Sequence, residues 1–188
     1  MSGTKLVWTF VVIFAVATFI GCGKKNDGAD NTAKGIESKG DDIKTETAKN
    51  KTADELGIDY ANESYKLYIE SLKEVTALIK DKPEPTAVKE KVAELKETYI
   101  KKFVEIGKKR EALDESAKQK YNMTLVASLG NALNDDGFKA YQEAIQPYFA
   151  TDQEFYKLIN SFNIITQYVD FTLLKQQEPE EAKRLGIK

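Results

Sequence analysis

Cys22 is the only cysteine among the 188 residues of this chain. A single cysteine excludes an intramolecular disulfide, so its thiol is left to react with a group outside the chain. Cys22 lies at a sharp boundary, because residues 6–20 hold no charge whereas Lys24 and Lys25 follow almost at once.

The apolar segment before Cys22 has the length of a signal peptide. Residues 6–20 would form about 22 Å of helix, which is short of the roughly 30 Å hydrocarbon core of a bilayer. The segment follows Lys5 and ends in Phe19-Ile20-Gly21-Cys22. This ending resembles the lipobox of bacterial lipoproteins. The alternative is an uncleaved N-terminal membrane anchor in which Cys22 has no special role.

The lipoprotein resemblance implies a covalent lipid anchor. Residues 1–21 would be removed, and Cys22 would carry a diacylglycerol and usually a further acyl chain such as palmitate. Two or more chains hold a protein stably on a membrane, whereas one holds it only marginally. The expected location is the bacterial cell envelope. Gly23 stands where enterobacterial lipoproteins of the inner membrane have Asp, so the resemblance favours the outer membrane.

Composition argues against several classes of function. The chain has 28 basic and 30 acidic residues, a balance that disfavours nucleic acid as a partner. It has no histidine, which excludes a Ser-His-Asp triad, a His-ligated haem and zinc sites built on imidazole. The polar turn at 134–137 is an incomplete calcium loop, because Ala132 stands where the first ligand is needed. We therefore expect no enzyme, no cofactor and no metal.

Residues 22–58 differ from the rest of the chain. Lysines alternate there with Asp and Glu among small polar residues, and no aromatic residue occurs before Tyr60. Such a segment buries too little apolar area to offset the entropy of ordering it. We expect the lipidated Cys22 and a flexible tether over 22–58, followed by one folded domain over 59–188.

Apolar residues at helical spacing predict an all-α bundle of about five helices in this domain. The predicted helices are 59–81, 86–110, 115–133, a short one that Pro147 kinks or ends, and one opened by Thr151, with a brief terminal helix after Pro179. Residues 121–134 and 158–169 contain no charge. We therefore expect the third and fifth helices to be central.

One face of the predicted fifth helix carries amides and a carboxylate: Asn160, Asn163, Gln167 and Asp170. Asn163, Gln167 and Asp170 are candidate ligand-binding residues for a pocket between the third and fifth helices. The alternative, which we favour, is that this face meets solvent or bonds to neighbouring helices.

Two functions remain. The first is a non-enzymatic binding or structural module at the envelope, with an envelope protein as partner. It predicts an exposed apolar patch. The second is a small-molecule carrier. It requires that Phe155, Phe162 and Leu129 do not fill the space between the third and fifth helices.

Overall fold

A computed structural model describes residues 51–188 of the chain. The expected signal peptide, Cys22 and most of the expected tether lie outside the described residues. The described part contains helices and no strand, which confirms the all-α prediction. The elements are α1 (Ala53–Ile79), α2 (Pro85–Glu111), α3 (Glu115–Ala132), α4 (Asp136–Thr151), α5 (Gln153–Asn160), a 3-10 helix (Ser161–Val169), α6 (Phe171–Gln177) and α7 (Pro179–Arg184).

The folded part begins earlier than expected. α1 starts at Ala53, so the prediction of a flexible tether up to residue 58 is wrong for its last six residues, 53–58. The cause is a capping box. The Glu55 backbone N–H donates to Thr52 Oγ1 at 3.3 Å, and the Thr52 N–H donates to Glu55 Oε2 at 2.8 Å. This pairing satisfies two free donors at the helix start.

We expect Thr52→Ala to lower the free energy of unfolding by about 1 kcal/mol, the usual value of a threonine cap. Urea denaturation followed by circular dichroism measures the change. Thr86→Ala is the matched control, because Thr86 is also an exposed threonine in a first helical turn but does not cap its helix. An equal loss in both variants would contradict the cap.

α1 lies at the centre of the bundle. Nine of its residues are buried, and it packs against α2, α3 and α4. α2 runs antiparallel to α1, as the short connection between them predicts, since Lys109 near the end of α2 bonds to Glu63 near the start of α1. α3 runs parallel to α1. The described residues, 51–188, belong to one compact unit that contains the whole of the described core.

The prediction that the third helix is central is wrong. Only Ala117, Tyr121 and Ala132 of α3 are buried, whereas Met123 and Val126 are more than 60% exposed. An uncharged stretch of sequence need not be buried. In α3 this stretch consists of amides, small residues and apolar side chains that are exposed. The uncharged stretch of the predicted fifth helix does contribute to the core, through Phe162, Ile165, Tyr168 and Val169.

The predicted fifth helix is three elements rather than one. It consists of α5, the 3-10 helix and α6, and its cap is Asp152 rather than Thr151, because Asp152 Oδ1 accepts from the Phe155 N–H at 2.9 Å. Phe162, Ile165 and Tyr168 recur every third residue and are all buried. This spacing matches the three residues per turn of a 3-10 helix, which keeps all three side chains on the core side.

The sequence predicts that Pro147 kinks or ends its helix, and α4 does not end there but continues one turn further, to Thr151. Because a proline has no N–H, the bond missing from the helix is the one to the carbonyl of Glu143, in the turn before Pro147. Asp135 caps the other end through the backbone N–H groups of Gly137 and Phe138. The turn at 134–137 therefore serves α4 as a cap.

Candidate binding groove

A groove with mainly apolar walls runs between α3 and the segment formed by the 3-10 helix and the start of α6. Its volume is about 380 Å³. Its apolar walls are formed by Tyr121, Leu125, Val126, Ile164, Val169 and Leu173. α3 and this segment belong to one bundle but do not close on each other, which leaves the groove open along its length.

The wall formed by α3 is held in place by its contacts with α1. A Cβ on Gly57 would collide with the carbonyl oxygen of Ala117, so only glycine allows the two helices to approach this closely. One helical turn further on, Tyr121 Oη lies 2.9 Å from Ser64 Oγ in a buried hydrogen bond. Asp114 caps α3 by accepting from the Ala117 N–H at 2.9 Å.

Arg110 joins the two walls of the groove at one end. Its side chain is only 7% exposed. One terminal nitrogen donates to Asn122 Oδ1 at 3.1 Å and to Asp170 Oδ2 at 3.2 Å, and the other donates to Glu111 at 3.2 Å. The guanidinium also lies over the ring of Tyr121, 5.3 Å from its centroid. Arg110 thereby links α2, α3 and the start of α6.

Beyond Arg110 the groove continues into a polar depression of about 610 Å³. The two share Asn122, Asp170 and Leu173. The charged residues lining the depression are two cations and three anions: Arg110, Lys118, Glu111, Glu115 and Asp170. The net charge of these groups is therefore −1, and Arg110 and Lys118 are both already paired with acids. An anionic ligand has no free cation to bind here.

The structure brings the three candidate ligand residues to one groove, since Asn163, Gln167 and Asp170 all line it. Their polar atoms are largely occupied. Asn163 donates to Asn160 at 2.8 Å and accepts from Gln142 at 3.1 Å. Asp170 accepts a hydrogen bond from Arg110. It also caps α6 by accepting from the Leu173 N–H at 2.9 Å. Gln167 makes one long bond, of 3.5 Å, to Glu178.

The favoured sequence interpretation was that this polar face meets solvent or bonds to neighbouring helices. These hydrogen bonds within the protein agree with it. The space between α3 and the 3-10 helix is nevertheless open, because Phe155 and Phe162 point into the core and Leu129 is only partly buried. Whether the groove holds a small molecule therefore stays a prediction. A pocket for a small ligand presents a few polar groups that are free to bond to the ligand. Of the three candidates, Asn163 and Asp170 already use their polar groups in bonds within the protein.

Sequence reasoning missed the exposed apolar surface beside the groove. Five of the seven large hydrophobic residues that are exposed in residues 51–188 lie on or next to α3 or across the groove: Met123, Val126, Leu133, Ile164 and Leu173. Ile58 and Phe149 lie elsewhere. The sequence does indicate this surface, because the uncharged third helix has apolar residues on more than one side. The same pattern also fits a central, buried helix, which is what the sequence analysis predicts.

The residues from 51 to 188 contain no cluster of three or more acidic, histidine or cysteine side chains that could hold a metal ion. Among the same residues, no helix is both long and apolar enough to cross a membrane. The chain matches none of the protein families, characterised proteins or solved structures with which it was compared. Its function therefore has to be argued from its own geometry.

Burial raises the pKa of Tyr121 to about 12, and the hydrogen bond with Ser64 and the charge of Arg110 only partly oppose this effect. In the unfolded chain a tyrosine ionises near pH 10, so above that pH the unfolded state loses a proton that the folded state keeps. The contribution of this tyrosine to stability is therefore complete below pH 10 and is lost as the pH rises towards 12.

We expect the free energy of unfolding to fall more steeply above pH 10 in the wild type than in Tyr121→Phe. The difference in slope should be about 1.4 kcal/mol per pH unit, one proton's worth. Urea denaturation at pH 9, 10 and 11 measures the slopes. Tyr60→Phe is the control, because Tyr60 is only partly buried. Equal slopes in the wild type and Tyr121→Phe would contradict the assignment.

Proposed function

We propose that this chain is a lipid-anchored bacterial envelope protein whose helical bundle is a non-enzymatic binding module. The observation that carries the binding role is the apolar surface of α3 and the adjoining groove. Scattered exposed hydrophobic residues are normal on a soluble protein, but a contiguous group is typical of an interaction site. The surface bears no charge between residues 121 and 134.

The lipid anchor is proposed from the resemblance of residues 19–22 to a lipobox. Metabolic labelling with a radioactive or alkyne-tagged palmitate tests it directly. We expect label and membrane association in the wild type and neither in Cys22→Ala. Ser38→Ala in the tether is a matched control that should keep both. Unlabelled wild-type protein, or label that persists in Cys22→Ala, would overturn the anchor.

The binding role is tested separately from the anchor. Purified residues 23–188 are immobilised and exposed to envelope extract, and captured proteins are compared between the wild type and Ile164→Glu. Ile164 is 54% exposed at the rim of the groove, so a glutamate is tolerated by the fold but not by an apolar partner. Phe149→Glu, at a residue 60% exposed on α4, is the control. Capture that is equal in all three would overturn this surface as the binding site.

A small-molecule carrier is the second candidate, and the placement of Asn163, Gln167 and Asp170 on one open groove favours it. Native mass spectrometry of the chain purified from its membrane tests for a retained ligand. A bound mass that disappears in Gln167→Leu would support the carrier. Only the mass of the protein with its own lipid would count against it.

A further inference from the structure

The outward side of α3 carries an apolar stripe formed by Met123, Val126, Gly130 and Leu133. The three large residues are each more than 60% exposed. With 100° of rotation per residue, all four lie within about 80° of one another. The buried side of α3, marked by Tyr121 and Ala132, lies roughly opposite. The stripe is therefore not an edge of the core but a second apolar face with no cover in residues 51–188.

The charge around the stripe restricts what can cover it. No acidic or basic residue occurs between residues 121 and 134, in a chain of which 31% is charged. Helices that lie on a membrane surface place Lys or Arg beside the apolar face, and α3 has neither along this stripe. A charged protein surface would lose hydration without gaining an ion pair. The complementary partner is an apolar, uncharged surface of the same kind.

The stripe has a spacing that is complementary to itself. The intervals from Met123 to Val126, Gly130 and Leu133 are three, four and three residues, which is symmetric about position 128. Two copies of α3 crossing antiparallel about a twofold axis there would place Val126 of one copy over Gly130 of the other. Met123 would meet Leu133 in the same way. A twofold contact of this kind is the commonest in oligomers.

Gly130 supplies the space that such a contact needs. A Cβ built on it would meet no atom within 4 Å, so nothing in its own chain uses the space. This distinguishes it from Gly57, whose lack of a side chain is required by the packing of α1 on α3. With Ala127 beside it, Gly130 leaves a shallow hole on the outer face of the helix. Val126 has the size to enter that hole from a second copy.

We propose that a second copy of this chain covers the stripe through an antiparallel α3–α3 contact about a twofold axis near residue 128. The dimer gives the proposed binding module a specific partner for its apolar surface, and to that extent it rests on the proposed function. Ile164 and Leu173, across the groove from α3, extend the apolar surface of each copy beyond the central contact.

Sedimentation equilibrium of residues 23–188 tests the dimer without a lipid. This segment contains the compact unit with the described core, and circular dichroism verifies its helix content. We expect the wild type to dimerise and Val126→Glu to raise the dissociation constant at least about 100-fold, since the change affects a central position in both copies. Phe149→Glu is the matched control and should dimerise as the wild type does.

Disulfide trapping tests the register. The segment 23–188 has no cysteine, so Ala127→Cys introduces a single thiol beside the proposed axis. We expect oxidation to give a covalent dimer for Ala127→Cys and none for Lys101→Cys, an exposed position on α2. A monomeric wild type, a dimer insensitive to Val126→Glu, or equal trapping at both positions would each overturn the proposal. A monomer that still captures an envelope protein in an Ile164-dependent way would leave the proposed function standing.

Discussion

Gly57→Ala is expected to lower the free energy of unfolding by about 2 kcal/mol. A Cβ at this position would overlap the carbonyl oxygen of Ala117 and lie 3.1 Å from the carbonyl carbon. Both atoms belong to the backbone of α3, so no side chain can move aside and the two helices must separate. Overpacking costs about 1–3 kcal/mol, and a clash with backbone atoms belongs at the upper end of this range. The gain in helix propensity from glycine to alanine, about 1 kcal/mol, offsets only part of it.

Gly130→Ala is the matched control for this prediction. It makes the same substitution inside a helix, at a site where a Cβ meets nothing within 4 Å. Helix propensity alone then decides, and we expect stability to rise by about 1 kcal/mol. Both variants are measured by urea denaturation at a protein concentration at which sedimentation finds only monomer. A stability change of the same sign in both would show that α1 and α3 do not approach as described.

The close approach at Gly57 also shows what sequence could and could not predict. Periodic apolar residues predicted α1, α2 and α3 to within a few residues at most ends, and the apolar side of α1 is buried in the structure at Leu72, Val75 and Ile79. Such a pattern specifies which side of a helix is buried. It does not specify the neighbour, so the crossing of α1 and α3 at a glycine could not be inferred.

The sequence-based predictions for α3 and for the fifth helix failed for the same physical reason. Apolar residues occur on several sides of α3. One sequence alone does not show whether the second apolar face of such a helix packs against the core or meets solvent. The division of the fifth helix depends on a buried repeat of three residues, at Phe162, Ile165 and Tyr168, set among other apolar residues that also fit an α-helix. Both questions are decided by tertiary packing rather than by local preference.

The candidate groove was predicted in part. The sequence offers a pocket between the third and fifth helices only as the less favoured alternative, and the structure does bring Asn163, Gln167 and Asp170 to one groove there. Arg110, which occupies one of the hydrogen-bonding oxygens of Asp170, was missed. It follows Lys108 and Lys109 in the last turn of α2, a position typical of exposed basic residues that interact with the helix dipole. The side chain is buried because Tyr121 and Asn122 of α3 and Asp170 at the start of α6 all contact it.

Arg110→Met is expected to lower the free energy of unfolding by about 3 kcal/mol, the lower end of the range for removing one partner of a buried ion pair. Methionine retains much of the contact with Tyr121 but leaves Asn122 and Asp170 without their donor. The lower end applies because Asp170 is 35% exposed and water can replace part of what it loses. Urea denaturation of residues 23–188 measures the change.

A double-mutant cycle isolates the Arg110–Asp170 pair from the rest of the network. Asn replaces Asp170, because an asparagine can still cap α6 at the Leu173 N–H. We expect Arg110→Met and Asp170→Asn to be non-additive by about 1–3 kcal/mol. The control cycle is Lys89→Met with Glu154→Gln, an ion pair of the same 3.2 Å length whose side chains are 51% and 84% exposed.

The control pair should show coupling below about 1 kcal/mol, since water screens an exposed pair and the two side chains lose entropy in forming it. Equal coupling in both cycles would mean that burial adds nothing to the Arg110 pair. The contact between Arg110 and Asp170 at the polar end of the groove would then behave as a surface ion pair rather than as a rigid joint between α2 and α6. Strong coupling at Arg110 alone would instead identify this pair as a buried joint that fixes the start of α6 to the end of α2 at the polar end of the groove.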